Sequence, residues 1–230
     1  MKNYILKTVN LKGINLQFYD FCKSSTCEIM ANEINNDSYD IAIDNKVNFK
    51  NDDVVIDIGG NIGTVSILLA KKYPFIKIYA FEPVYENWKN FKRNIKINNI
   101  NNIKLFNLAV AGNNCFAKIE YDYHINGCSS LIKDFFHQFQ SKEIYIKRNT
   151  VKTITLDDIL LKFKIDKCKL LKIDCEGSEF EIFYNSKLLN KIEYVTGETH
   201  SYDNKRNNRE SLLKYLEKYF PNNKIQMVGY

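Results

Sequence analysis

Residues 53–70 constrain this chain more than any other stretch. Val54, Val55 and Ile56 are three β-branched apolar residues in a row, the composition of a strand buried on both faces, as in a parallel sheet. The run breaks at Gly59 and Gly60, and an amphipathic pattern follows from Ile62, with Val65, Leu68 and Leu69 at helical spacing. Strand, glycine-rich turn and helix make the first half of a βαβ nucleotide-binding unit. Glycines let the backbone approach a ligand closely, and the helix start offers free N–H groups.

The residue at the end of that strand narrows the choice of ligand. Asp57 stands two residues before Gly59, where a dinucleotide site usually has an apolar strand end. A carboxylate there repels a pyrophosphate and attracts an ammonium and a sulfonium, the charges of S-adenosylmethionine. Glu82 closes the next apolar run, residues 76–81, at about the spacing from which an acid reaches ribose hydroxyls. Asp57, Gly59, Gly63 and Glu82, in that order, point to S-adenosylmethionine. The competing reading is an ordinary strand–turn–helix carrying chance acids.

The rest of the chain continues the alternation. Residues 85–97 form a helix with Trp88, Phe91 and Ile95 on one face, and residues 103–106 a third strand running out into Asn107-Leu108-Ala109-Val110. Strand candidates follow at 116–123 and 151–154, around a loop whose Ser129 and Ser130 either bind a substrate through their hydroxyls or belong to an unremarkable loop. Thr155 caps a helix over 156–163, with Asp157 and Asp158 in its first turn. Residues 169–173 form a fourth core strand ending in Asp174, and residues 192–195 a fifth, running out to His200. A helix over 209–219 and a closing strand over 224–228 complete the pattern. Such alternation predicts a parallel sheet with right-handed crossovers. Ligands of such sheets bind at the carboxyl ends of the strands, so Asp57, Glu82 and Asn107–Ala109 should share one rim, where small Ala109 leaves room for adenine. Residues 1–50 read as an addition, a hairpin at 4–9 and 14–19 and a helix at 24–34 capped by Ser24 or Ser25. We place it over an edge or mouth of the sheet, where Tyr39 and Asp40 either line the pocket or belong to a segment that only anchors on the surface.

Composition limits the class. The 230 residues, 45% hydrophobic and 26% charged, suit one soluble α/β domain with additions. The net charge of +6 admits an anionic acceptor such as a nucleotide sugar, yet Lys and Arg are not clustered as a nucleic-acid surface requires. Six cysteines lie without a Cys-x-x-Cys pair or zinc spacing to a histidine, which predicts reduced thiols. With no leader-like apolar core near Met1 and no apolar stretch of membrane-spanning length, the expected location is the cytoplasm.

Taken together, these motifs resemble the FkbM-type family of S-adenosylmethionine-dependent methyltransferases. The matching residues are Val55-Ile56-Asp57-Ile58-Gly59-Gly60-Asn61-Ile62-Gly63, Ala80-Phe81-Glu82-Pro83, Asn107-Leu108-Ala109-Val110, Thr155-Leu156-Asp157-Asp158, residues 171–179, and Glu198 with His200. The resemblance covers about residues 50–200 and implies the class I methyltransferase fold: a Rossmann-like, mostly parallel sheet with helices on both faces and a final antiparallel strand inserted among them. It divides the chain into an N-terminal addition, 1–50, and a methyltransferase domain, 51–230. It implies that Asp57, Gly59, Asn61, Gly63 and Glu82 hold S-adenosylmethionine, with Asp174 near the methyl group, and that the acceptor is a hydroxyl of a sugar, glycan or natural product. Asn61 replaces a glycine common in the wider fold, a position where Asn tolerates positive φ.

Methyl transfer to a hydroxyl gains from alignment and from a base. His200 and Asp174 lie on adjacent strand ends in this reading, and His200 is either that base, the natural one near neutral pH, or a loop histidine paired with Glu198. His124 and His137 have no motif around them. Asp174, Glu176, Glu198 and His200 are also ligand types for Mg²⁺ or Mn²⁺, but spacing alone does not bring them together, and the expectation is a site without metal. Glu176 and Glu198 join Tyr39, Ser129 and Ser130 as candidate acceptor contacts. Two other classes compete: an RNA 2′-O-methyltransferase, for which Lys172 and Asp174 supply two of four required residue types, and a non-catalytic binding module.

Overall fold

A computed structural model describes residues 4–22, 24–36, 39, 46–122, 129–132, 146–203 and 205–229. Asp40, His124, His137 and residues 126–128 of the serine-bearing loop lie outside the described residues. The chain begins with a hairpin, β1 (Tyr4–Leu11) and β2 (Ile14–Phe21), and a helix, α1 (Thr26–Asn35). The predicted alternation follows as β3 (Val54–Ile58), α2 (Thr64–Lys72), β4 (Lys77–Phe81), α3 (Tyr85–Ile97) and β5 (Ile103–Phe106). An excursion adds β6 (Ala109–Val110), β7 (Phe116–Asp122), β8 (Ser129–Ser130) and β9 (Ile146–Ile154). The chain then resumes with α4 (Leu156–Lys162), β10 (Cys168–Ile173), α5 (Glu179–Asn185), β11 (Ile192–Thr199), α6 (Arg209–Leu216) and β12 (Ile225–Gly229).

The central sheet has six strands in the order β12-β11-β10-β3-β4-β5, and every neighbouring pair is parallel. The chain builds outward in one direction from β3 and in the other from β10, so the topological switch point falls between these two strands. Side chains alternate across the sheet. Val55, Ile78, Ala80 and Leu170 join one core with α2 and Phe91, while Ile56, Ile58, Phe81, Leu171, Ile173 and Val195 join the other with α4, α5 and α6. Thr155 caps α4 as expected, its hydroxyl accepting from the Asp158 amide at 3.1 Å.

Four expectations are corrected. The closing strand β12 pairs with β11 in parallel, because α6 carries the chain back in a crossover before it re-enters the sheet; no antiparallel strand lies in the central sheet among the described residues. The excursion between β5 and α4 builds a second sheet, β6-β9-β7-β8, in which β9 has 9 residues where 151–154 was expected, its polar Lys-Arg-Asn run held by pairing with β7. α6 stops at Leu216 rather than Tyr219. The N-terminal segment covers a face of the molecule rather than an edge of the sheet, Leu11, Leu16, Phe18, Cys27 and Ile34 sharing the first core with α2 and Phe91, while Tyr39 reaches the mouth as expected.

That docking explains a helix face that the apolar pattern misread. The buried side of α3 is Asn87, Asn90, Phe91 and Asn94, with Trp88 and Ile95 only half-buried. Asn98 gives its amide N–H to the Gln17 carbonyl at 2.6 Å and accepts the Gln17 N–H at 3.0 Å. Asn94 does the same for Tyr19, at 3.3 and 2.7 Å, and reaches the Ile62 carbonyl at 2.9 Å. Two asparagines thus complete the hydrogen bonding of the β2 edge, as a third strand would.

Candidate active site

The alternation that builds the sheet also gathers its charged residues. Asp57, Lys172 and Asp174 lie at even spacing on β3 and β10, and Glu198 and His200 continue the same face of β11. Lys172 is paired in register with Asp57 across the switch point. Its ammonium is 3.3 Å from Asp57 Oδ1 and 3.7 Å from Asp174 Oδ2, and it donates to the Gly59 carbonyl at 2.8 Å. Lys172 and Asp57 are both buried. Burial works against the lysine's charge, but Asp57 and Asp174 outweigh it and hold its pKa above the ordinary value. Ser66, on the first turns of α2, donates to Asp57 Oδ2 at 2.5 Å.

The glycine turn is shaped first by the protein itself. Gly59 has φ +76, and a Cβ there would lie 1.7 Å from the Asp174 carbonyl oxygen; Gly63, at φ +94, would meet the Phe91 ring at 2.2 Å. Close packing of β3 against β10 and of α2 against α3 therefore requires them. Asn61 adopts φ +49, as its residue type allows, and its N–H donates to Glu82 Oε2 at 2.8 Å. Glu82 Oε1 accepts from the Val84 N–H at 2.8 Å. Burial pushes the Glu82 carboxyl up to about 7 against these two hydrogen bonds. Asn107 follows β5 onto the same rim and clamps the turn, donating to the Glu82 and Pro83 carbonyls, both at 2.9 Å.

Beyond Asp174 the chain turns through Glu176, at φ +52, into α5. Glu179 reaches back to accept from the Cys175 and Gly177 N–H groups at 2.9 and 2.8 Å. It also meets His200 Nδ1 at 3.1 Å, while His200 Nε2 faces Glu176 at 3.4 Å and Glu198 at 3.7 Å. Tyr39, fully buried, points its hydroxyl at Glu198 Oε1, 3.1 Å away, and Asp174 Oδ2, 3.3 Å away. Burial lowers the His200 pKa, but the Glu179 hydrogen bond and the charges of Glu176, Glu179 and Asp174 outweigh it and raise it to about 10. Burial, with the negative charges of Asp174 and Glu33, raises Glu198 to about 8. His200 thus meets the acids expected of a histidine paired with Glu198, and an ion-paired ring holds its proton more tightly than a general base at neutral pH does.

The structure brings Asp57, Gly59, Asn61, Gly63, Glu82, Asn107 and Asp174 to the carboxyl ends of neighbouring strands, with Tyr39, Glu176, Glu198 and His200 beside them. Leu108 is half-buried in the second core, and Ala109 belongs to β6 of the second sheet, paired with Thr153. Ser129 pairs with Tyr121 in that sheet, and Ser130, fully buried, donates its hydroxyl to the Glu176 carbonyl at 2.6 Å. Its hydroxyl supports the Glu176 turn. Sequence reasoning passed over Glu179, Ser66 and Glu33. It also left Lys172 outside the site, although a lysine inside a buried apolar strand demands a buried counter-charge, and Asp57 was the acid available.

The model of the FkbM methyltransferase domain matches residues 57–223. The chain belongs to that family. Among curated relatives, it is 27% identical over 147 residues to "Methyltransferase 1" of Beauveria bassiana, a match spanning 58% of each chain. It is 23% identical over 194 residues to "Methyltransferase sdnD" of Sordaria araneosa, covering 75% of this chain and 73% of that one. Among solved structures, a precorrin-6y C5,15-methyltransferase from Geobacter metallireducens overlaps 76% of this chain and 66% of its own, with TM-score 0.41 and 14% identity. Among the described residues, no helix is long and apolar enough to cross a membrane.

Proposed function

We propose that this FkbM-family chain transfers the methyl group of S-adenosylmethionine to a hydroxyl of a neutral, polyhydroxylated acceptor, a sugar or glycan. The observation that carries the reading is the set of carboxylates, Asp57, Glu82, Asp174 and Glu198, at adjacent strand ends around the switch point. This donor set fits a ligand that is cationic at one end and hydroxylated at the other. Each Glu82 oxygen accepts one backbone N–H, and a carboxylate oxygen has room for a second donor such as a ribose hydroxyl. Asp57, its charge balanced by Lys172, faces the glycine turn.

When bound, S-adenosylmethionine supplies an electrophilic methyl carbon. The acceptor oxygen that takes it must give up a proton. Asp174 lies just past the end of β10, beside the switch point, and its carboxylate receives the proton in our reading. His200 contacts Glu176, Glu179 and Glu198 and holds them in place. The carboxylates at this rim accept hydroxyl donors, which favours a polyhydroxylated acceptor. Lys172 is buried and already meets Asp57, Asp174 and two backbone carbonyls, so it has no ammonium to offer an RNA ribose.

Calorimetry with S-adenosylmethionine, followed by methyl-transfer assays on neutral glycans, nucleotide sugars and RNA, tests this. Wild-type protein should bind the cofactor, Glu82→Ala should weaken binding by about 10–100-fold, the worth of charge-assisted hydrogen bonds, and neutral glycans should be methylated. Failure of the folded protein to bind the cofactor removes the reading; transfer only to phosphorylated acceptors replaces its second half.

A further inference from the structure

Asp174, Glu198 and His200 each offer one ligand atom, and these atoms lie within 4.8 Å of one another. We propose that they form a site for a divalent cation of the Mg²⁺ or Mn²⁺ type, held at the point where the acceptor hydroxyl arrives. Sequence spacing did not bring Asp174, Glu176, Glu198 and His200 together, and the expectation was a site without metal; the tertiary structure brings three of the four together. Two carboxylates and one imidazole make an oxygen-rich donor set suited to hard or borderline divalent ions.

Two features outside these three residues point to the same ligand. Glu179 is fully buried, is fixed by the Cys175 and Gly177 N–H groups, and takes His200 Nδ1 at 3.1 Å. That contact aims Nε2 at the carboxylates. Metal-binding histidines are commonly oriented in this way, with the second ring nitrogen donating to a carboxylate. Tyr39, fully buried, sets its hydroxyl between Glu198 Oε1 and Asp174 Oδ2, at 3.1 and 3.3 Å. A hydroxyl proton there bridges two acids at the place a cation would bridge them. On binding, the metal takes the position of the Nε2 proton, which is released to solvent, while Nδ1–H stays on Glu179. Held by Asp174, Glu198 and His200, such an ion would supply a Lewis acid that makes the acceptor hydroxyl more acidic, its proton passing to the Asp174 oxygen that does not ligate.

The role assigned to the ion rests on the methyl-transfer reading, but its binding is measured apart from it. Mn²⁺ is titrated into the full chain without S-adenosylmethionine, and the loss of the free-ion electron paramagnetic resonance signal is followed. One saturable site per chain is expected. Glu198→Gln and His200→Gln, each checked for a cooperative melt, should weaken it at least tenfold. Glu193→Gln, which removes a carboxylate at the other end of the same strand, should leave it unchanged. No saturable site on wild-type protein overturns the proposal whatever the variants do, as does a site that both ligand variants retain. Cofactor calorimetry on the same preparation reports separately whether the methyltransferase reading stands.

Discussion

Replacing Lys172 by methionine tests the electrostatic centre of the molecule. Lys172 and Asp57 have side chains 3% exposed and approach to 3.3 Å. At an effective dielectric near 20, two charges at that distance attract by about 5 kcal/mol, which offsets the cost of taking both out of water. Methionine keeps most of the apolar stem but removes the charge, so Asp57 is left buried beside Ser66 alone and the Gly59 carbonyl loses its donor. Breaking a buried pair from one side costs about 3–5 kcal/mol. Against a typical domain stability of about 5–15 kcal/mol, that is a large share. Urea denaturation at pH 7, followed by circular dichroism, should show the midpoint falling with little change in slope, and the melting temperature should drop by about 6–20 °C. Adding Asp57→Asn to Lys172→Met should recover part of the loss, because the stranded charge is removed. A single variant within about 1 kcal/mol of wild type would falsify the claim that this pair is buried and mutually compensating.

Asn98→Ala should destabilise the protein by about 2 kcal/mol, since it strips both partners from the Gln17 backbone, and hydrogen exchange at the Gln17 amide should accelerate while the central strands stay protected. Glu193 tests pH dependence. Burial pushes its carboxyl up, but hydrogen bonds from Lys167 and Lys169 outweigh this and hold it at about 2. A depressed folded pKa stabilises above the ordinary glutamate range and loses that contribution as pH falls through about 4 toward 2. Glu193→Gln should therefore lower the melting temperature at pH 7 and approach wild type near pH 2; an equal deficit at both pH values refutes the ion-pair account. Gly59→Ala should fail to yield soluble protein, or should melt far below wild type, because its methyl group would overlap the Asp174 carbonyl at 1.7 Å; a near-native melt contradicts the packing of β3 on β10.

The local pattern of this chain determined its strand–turn–helix units, because apolar periodicity and turn residues act over a few positions. Asp57, Glu82 and Asp174 were legible as acids at strand ends, and Thr155 as a cap, for the same reason. Asn94 and Asn98 were not: their partners lie on β2, about 75 and 81 positions away in sequence, and a polar helix face reads as solvent-facing until the edge it completes is known. The direction of β12 depends on a crossover that the residues of the strand itself do not encode. His200 shows the limit most sharply. Its residue type suggests a base, yet its protonation is set by Glu176, Glu179 and Asp174, which the fold places around it. Sequence supplied the chemical groups at the rim. Only the tertiary structure, by fixing which charges face one another out of water, decided what state they hold and which of them can meet a cation together.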